Sequence, residues 1–554
     1  MCAQILQGEK APRGSGSLKG SSPNVLANEP HNDGHGEEEL HRALSARQIS
    51  MIAIGGAIGT GLIIGSGSAL YQAGPVGLLI SYIFMGSVCY GVLTALGEMT
   101  SHIPHKKGFP GHSSQFVDEA FGFCVGWNYL FKYLVIVPSQ LNATAILLSY
   151  WRPDLSGGIW ITVFGTVIIF LNIFGGVRVF GHLEYFLSFL KIVVLIGLII
   201  LSVCINCGAT PTGDYIGFQY WTQRMAFRPY LESGALGRFL GTWSSMVLAL
   251  FSFTGSEICA VTAGEAKNPR KAIPRAIRSA FYRIVFFYIL LVFLVGLIVP
   301  ADSSLLVEAT KSKSTAAASP FVVAIQIARI RALPSILNGC LLIFTFSAAN
   351  SDLYIASRTL YGLAKSNQAP KIFLRCNSQG TPWVSIATCS LFIPLAYINI
   401  ASGGSKTFGY LTSTVTIFGG LTWWSILVTH QRFLAAIKAQ GFDRTKLPYR
   451  SPFQPYFGWY SLVVITLVLL FKGFTAFVHT FDYKSFVTNY VGLPILAFLF
   501  LGWKVIHKTK FLPAFEVDLY AGTRAEDIED EEENKEDIER LGKSQRVIEF
   551  IKSV

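Results

Sequence analysis

The stretch Ile49-Ser50-Met51-Ile52-Ala53-Ile54-Gly55-Gly56-Ala57-Ile58-Gly59-Thr60-Gly61-Leu62-Ile63-Ile64-Gly65-Ser66-Gly67-Ser68-Ala69-Leu70-Tyr71 is apolar over the length of a membrane crossing, yet six glycines interrupt it. A helix that only anchors a chain in lipid is richer in leucine. Glycine lowers the cost of unwinding, and unwinding exposes backbone N–H and C=O groups where there is no bulk water to satisfy them. Those groups then need a partner, and a small zwitterion can serve as one.

The rest of the chain agrees with a membrane setting. Its 554 residues are 51% hydrophobic and only 14% charged, with a mean hydropathy of +0.46. Soluble domains carry about 25% charged residues. Twelve apolar segments are long enough to cross a hydrocarbon core roughly 30 Å thick. They lie near 48–72, 76–100, 121–149, 158–175, 183–206, 240–263, 278–299, 335–364, 382–400, 408–430, 456–478 and 485–506. The fold class expected is all-α, with twelve transmembrane helices. Residues 1–45 are polar and read as a disordered cytoplasmic tail, 46–508 as the transporter domain, and 509–554 as a charged, solvated cytoplasmic tail with an acidic run from Glu526 to Glu539. No cleavable leader stands at the amino terminus, so the first span is expected to direct insertion.

The formal net charge of +12 is placed rather than spread. Lys267, Arg270, Lys271, Arg275, Arg278 and Arg283 form one basic loop region, and Arg432, Lys438, Arg444, Lys446 and Arg450 another. Alternation of such loops with less basic ones puts both termini in the cytoplasm. Because the charges flank apolar spans, the basic balance does not indicate nucleic-acid binding. The nine cysteines sit mostly within spans, and the Cys204-x-x-Cys207 pair has no second pair to complete a metal site. Neither a metal nor a cofactor is expected, and no paired nucleophile and base suggests an enzyme.

A second interruption occurs at Leu250-Phe251-Ser252-Phe253-Thr254-Gly255-Ser256-Glu257 in the sixth span. Breaks in the first and sixth spans are what two inverted five-helix repeats predict, with a site between them at the bilayer midplane. Packing through small residues is the simpler alternative for the glycines. In the functional reading, the half-helix that starts after the first break aims its positive end at the gap. The N–H groups near Thr60 and Gly61 would hold a carboxylate. Carbonyls near Ile58, Gly59 and Phe251 would hold an ammonium, with Thr254 beside them.

Ionisable residues inside spans are expensive, roughly 2.5–3.5 kcal/mol each at the helix centre. Lys132, Glu184, Lys191 and Glu257 stand out. Lys191 and Glu184 lie two turns apart on one face of the fifth span. An amine there suits proton exchange, with a fixed structural contact as the alternative. Lys132, with Gln140 two turns on, suits a substrate bearing an extra carboxylate, or else an interhelical ion pair. Glu257 reads as structural. Asn350-Ser351-Asp352 in the eighth span reads as an interhelical polar contact more readily than as a sodium site.

On these motifs the chain resembles the fungal amino-acid permeases of the amino acid–polyamine–organocation superfamily. The resemblance spans about 42–520. It rests on Met51 to Leu62, Thr94-Ala95-Leu96-Gly97-Glu98-Met99, Phe251 to Glu257, Gly264 to Pro274, Ala317 to Val322 and Asn350 to Leu360. Within the family it is most similar to the dicarboxylic (acidic) amino-acid permeases, through Tyr129 to Tyr133 and Phe481 to Pro494. The resemblance implies a leucine-transporter-type core of five plus five helices with two more at the carboxy end. It implies proton-coupled import of glutamate and aspartate at the plasma membrane. It also assigns Thr60 and Gly61 to the substrate carboxylate, Phe251 to the gate and Lys191 to proton coupling. Many relatives carry a glutamate in place of Gln140 and a neutral residue in place of Lys132, both shifts toward accepting an anion. A departure at His105 to His112 concerns the inner gate. The partners implied are an amino acid, protons and the lipid bilayer, with trafficking or ubiquitination machinery possible at the tails. A broad-range permease and a non-transporting amino-acid sensor are the neighbouring readings.

Overall fold

A computed structural model of the chain describes residues 59–103, 105, 107–222, 225–258, 269–311, 319–478 and 480–519. The segments 1–58 and 520–554, and with them Ile58, the first half of the first span, the amino-terminal tail and the acidic run, lie outside the described residues. So do residues 264–268 of the motif from Gly264 to Pro274.

Every described element is a helix. The chain runs through a π-helical turn, Gly61–Gly65, into α1 (Ser66–His102), α2 (Gly108–Phe116), α3 (Glu119–Leu148), α4 (Gly157–Phe174), α5 (Gly176–Asn206) and α6 (Gly234–Phe253). There follow α7 (Pro269–Ile298), α8 (Ser304–Lys311), α9 (Pro320–Ile327), α10 (Leu333–Lys365), α11 (Trp383–Ser390) and α12 (Ile398–Ser402). The last are α13 (Gly404–Ala439), α14 (Tyr456–Phe471), α15 (Tyr483–Tyr490) and α16 (Gly492–His507). Among the described residues, nine helices are long and apolar enough to cross a membrane, or ten if α15 and α16, bent by 46°, count as one.

The first two expected spans form one helical run, Gly61–His102. It turns at Gly74, where φ is 75° and Pro75 follows. A passing loop uses the turn: Val76 N–H donates to Ala226 O and Arg228 N–H to Ala73 O, each at 3.0 Å. A Cβ on Gly74 would meet Ala226 O at 2.8 Å, so both the positive φ and the crowding require glycine.

The central layer is α1, α3, α6, α7, α10 and α13, which pack closely on one another. In contrast, α4 and α5 present Phe170, Phe174, Phe186 and Phe189 outward, each more than half exposed. A predominantly apolar face of that kind fits lipid rather than water. Pro138 inside α3 has no N–H, which leaves the Leu134 carbonyl without its intrahelical donor between Lys132 and Gln140.

The start of the carboxy-terminal segment, 509–519, is tied to the helices at several points. Leu512 N–H donates to Val117 O (3.0 Å), Gln440 Nε2 to Val517 O (2.6 Å) and Gln115 Nε2 to Asp518 O (2.6 Å). Val517 and Leu519 are buried beneath it. These two apolar side chains, and carbonyls that answer helix-end donors, explain the docking that composition alone does not reveal.

Candidate substrate site

The sixth expected span is broken. Helix α6 stops at Phe253, Thr254 is extended (ψ 141°), Gly255 takes φ 107°, and helical structure resumes only at Ile258. Glu257 turns back on the break: its Oε2 accepts from Gly255 N–H (3.0 Å) and from Trp423 Nε1–H of α13 (3.1 Å). Its Oε1 pairs with the Lys132 ammonium of α3, and both side chains are fully buried. Lys132 is further enclosed by Tyr133 and Tyr129, whose ring centroids lie 4.6 and 5.3 Å from Nζ. Thr254 sits close by, since a Cβ on Gly419 of α13 would meet Thr254 Cγ2 at 2.7 Å and Lys132 Cε at 3.9 Å.

On the first span, Thr60 precedes the π-helical turn and is buried, and its Oγ1 has no hydrogen-bond partner among the described residues. Gln140 Oε1 is likewise buried without one, while Gln140 Nε2 donates to Asp352 Oδ2 of α10 at 3.4 Å. A Cβ on Gly59 would meet Gln140 Nε2 at 3.6 Å. Gly59, Gln140 and Asp352 therefore converge, with Thr60 the next residue in the chain and two polar atoms left over. Buried polar atoms normally find partners, so such orphans mark a place where a guest could supply them. Gly61 has a packing duty as well: a Cβ there would lie 2.5 Å from Ser252 Cα.

The Phe251 carbonyl, expected to be available to an ammonium, instead accepts from Thr254 Oγ1 (2.7 Å) and Thr254 N–H (3.3 Å). Thr254 closes the end of α6 on itself because the helix terminates there. The Phe251 ring meets Phe408 of α13 edge-on at 6.3 Å. This aromatic pair lines a cavity of about 320 Å³ together with Ile64, Gly65, Gln72 and Lys472. The cavity starts one turn beyond Thr60, which is itself covered. Of the expected substrate residues that are described, only Phe251 touches it.

A third group lies between α5 and α10. Lys191 Nζ stands 4.0 Å from Glu184 Oε1, Ser347 Oγ donates to the same oxygen (2.7 Å), and all three side chains are buried. Asn350 accepts from Asn172 of α4 (2.9 Å), an interhelical contact. Asp352 is within electrostatic reach of Lys132, Lys191 and Glu184. At one end of the bundle, Glu98 of α1 accepts from His430 of α13 (2.9 Å) and twice from Arg444 (2.6 and 2.9 Å).

Trp423, Phe408 and Lys472 were not anticipated. Trp423 and Phe408 are apolar residues in apolar spans and carry no signal. Lys472 does carry one: it is an ionisable residue within 456–478, the criterion that drew attention to Lys132. Outside the spans, burial, reinforced by the neighbouring ring of His105, pushes the His112 imidazole down to about 3.

Comparison with known proteins fits this architecture. The profile of the amino acid permease family matches residues 48–514. The chain is 45% identical over 515 residues to the dicarboxylic amino acid permease of Saccharomyces cerevisiae, covering 92% of this chain and 84% of that one. It is 46% identical over 479 residues to an uncharacterized amino-acid permease of Schizosaccharomyces pombe (86% and 92%), and 38% identical over 488 residues to the lysine-specific permease of S. cerevisiae (88% and 79%). Among solved structures, a manganese transporter of Eremococcus coleocola superposes with a TM-score of 0.53 at 13% identity, over 83% of this chain and 94% of that one, a likeness of fold alone. The relatives are membrane transporters and not enzymes. This chain is a multi-pass membrane protein that belongs to the amino acid permease family.

Proposed function

We propose that the chain is a proton-coupled symporter that imports amino acids across the plasma membrane, with glutamate and aspartate as its main substrates. Dividing the Gly61–His102 run at Gly74, and adding Pro269–Ile298 and the bent α15–α16 pair, brings the nine spans to twelve. Ten would form two inverted repeats and the last two would be accessory, with both termini cytoplasmic. The observations that carry the reading are the break at Thr254–Glu257, the orphaned Thr60 Oγ1 and Gln140 Oε1, and the close approach of Gly61 to Ser252 that joins the two segments. Main-chain groups of the first span at Gly59, Thr60 and Gly61 would take the α-carboxylate. Phe251 would close over it, with Thr254 at the floor.

Asp352 lies within electrostatic reach of Lys132, Lys191 and Glu184, and Lys132 pairs with Glu257, so this linked group sets three carboxyls against two amines. A buried net charge is costly, so this group is neutral only with one proton added. That balance supports coupling through Lys191 and Glu184. Acidic selectivity would come from Lys132 and Gln140, with the substrate's second carboxylate competing with Glu257 for the ammonium. The Lys132–Glu257 pairing itself favours a second reading, a broad-range permease, because the pair as it stands is electrically neutral.

The test is uptake of labelled glutamate at two external pH values, with and without a protonophore, in cells lacking their own carriers. Acidification should raise uptake, the protonophore should abolish accumulation, and Lys191→Ala should lose the uphill component. Uphill uptake that survives in Lys191→Ala defeats the coupling assignment. A competition panel in which neutral amino acids match glutamate selects the broad-range reading.

A further inference from the structure

The cavity above Phe251 and Phe408 contains a charge that the site just described does not use. Lys472, at the carboxy end of α14, is only 4% exposed. Its Nζ donates to Ser413 O of α13 (2.9 Å), Asn489 Oδ1 of α15 (2.8 Å) and Asn489 O (3.4 Å). All three acceptors are neutral, and no acidic side chain among the described residues pairs with it. Lys472 is also the only charged side chain among the described residues lining the cavity, whose other polar groups are hydroxyls and amides such as Gln72, Thr412 and Thr475. At about 320 Å³ it falls at the small end of the roughly 300–1,000 Å³ range of small-molecule sites.

A purely structural lysine would tie α13, α14 and α15 together. A glutamine could donate to Ser413 O and Asn489 Oδ1 without burying a charge, which is the costly part of a lysine there. The hydrogen bonds therefore do not explain the cation. A compensating anion would, and the cavity has room for one.

We propose that Lys472 and this cavity form an outer holding site for the side-chain carboxylate of an anionic amino acid before it passes the Phe251–Phe408 pair. The inference rests on the acidic-substrate reading given above. A neutral zwitterion brings its own ammonium, which the Lys472 field repels while it attracts the α-carboxylate. Only a solute with net negative charge gains from both position and sign. Charge selection would then begin on α14 and α15, at the periphery of the helical core.

The experiment measures initial uptake rates of labelled glutamate and of a neutral amino acid, normalised to protein at the cell surface. Lys472→Gln should raise the glutamate KM about tenfold or more, the scale of losing one close charge in a partly screened site, and leave the neutral KM within about twofold. Lys472→Arg should restore the glutamate KM. Asn489→Asp keeps an oxygen on the ammonium but supplies a resident anion, at the expense of the donation to Ser485 O (2.8 Å). A second, longer donation from Asn489 Nδ2 to Ser485 Oγ (3.4 Å) goes with it. The change should weaken glutamate as Lys472→Gln does, whereas a structural tie predicts no such loss. The Asn489→Asp result also stands if Lys472→Gln fails to reach the surface. An unchanged ratio of glutamate to neutral KM in either surface-expressed variant overturns the proposal, as does an equal loss for both substrates. A parent chain that carries no acidic amino acid defeats the functional reading itself, an outcome visible before any variant is made.

Discussion

Replacing Gly61 by alanine tests whether the first and sixth segments meet as tightly as the geometry indicates. The new methyl would lie 2.5 Å from Ser252 Cα, 2.9 Å from Ser252 Oγ and 3.0 Å from Ser252 N, where ordinary contact begins at 3.4 Å. Two of the three atoms are backbone, so no rotamer change relieves the clash. The π-helical turn must retreat from α6 by about 1 Å, and overpacking of this kind costs about 1–3 kcal/mol. It also disturbs the Tyr82–Ser252 hydrogen bond of 2.8 Å. Misplacing a positioned group by about 1 Å typically costs on the order of a hundredfold in rate, so transport should fall by that order even where the protein still reaches the membrane. Gly65→Ala is the matched control, because its nearest contact, Ser252 Oγ, would lie at 3.9 Å. Initial uptake of labelled substrate per surface molecule is the readout, with thermal stability in detergent measured alongside. Gly61→Ala should be nearly inactive and Gly65→Ala nearly normal. Retention of more than about half the parental rate by Gly61→Ala refutes the reasoning. So does rescue by Ser252→Gly, since that change removes only the side chain.

Two further expectations concern buried charge and pH. Lys132→Met leaves the Glu257 carboxylate buried without its cation and should destabilise the fold by about 3–5 kcal/mol, while Lys132→Met with Glu257→Gln should recover most of it. Melting curves in detergent decide, and a single variant as stable as the parent would show that the pair bears no such burden. His112 Nε2–H donates to Ile103 O at 2.8 Å, and its folded pKa near 3 lies below the ordinary value of 6.5. The unfolded chain therefore gains the proton first, so stability is fully present above about pH 6.5 and is lost on acidification. At pH 5 the loss from this group is about 2 kcal/mol. Comparing melting temperatures at pH 7 and pH 5 for the parent and His112→Gln checks this, and an equal drop in both would rule out His112 as the source.

Much of the architecture is carried by local composition. Apolar length alone located Glu119–Leu148, Gly157–Phe174, Leu333–Lys365 and Tyr456–Phe477 to within a few residues, because lipid requires every peptide group to be satisfied inside a helix. The break after Phe253 was legible for the same reason: Thr254-Gly255 cannot continue a helix cheaply, and Glu257 supplies the polar partner that an opened turn needs. The equal spacing of Glu184 and Lys191 on one face likewise follows from helical pitch.

Tertiary structure decided what each buried charge faces. Sequence allowed Lys132 to meet either a substrate or another helix, and only the packing of α3 against α13 and the break after α6 set Glu257 and Trp423 around it. Sequence showed Lys472 in a span, but not that Ser413 and Asn489 would hold it at the wall of a cavity more than fifty positions from Phe408. Periodicity dictates which face of a helix a residue occupies. Which neighbour fills that face depends on contacts between segments far apart in the chain, and no local signal encodes them.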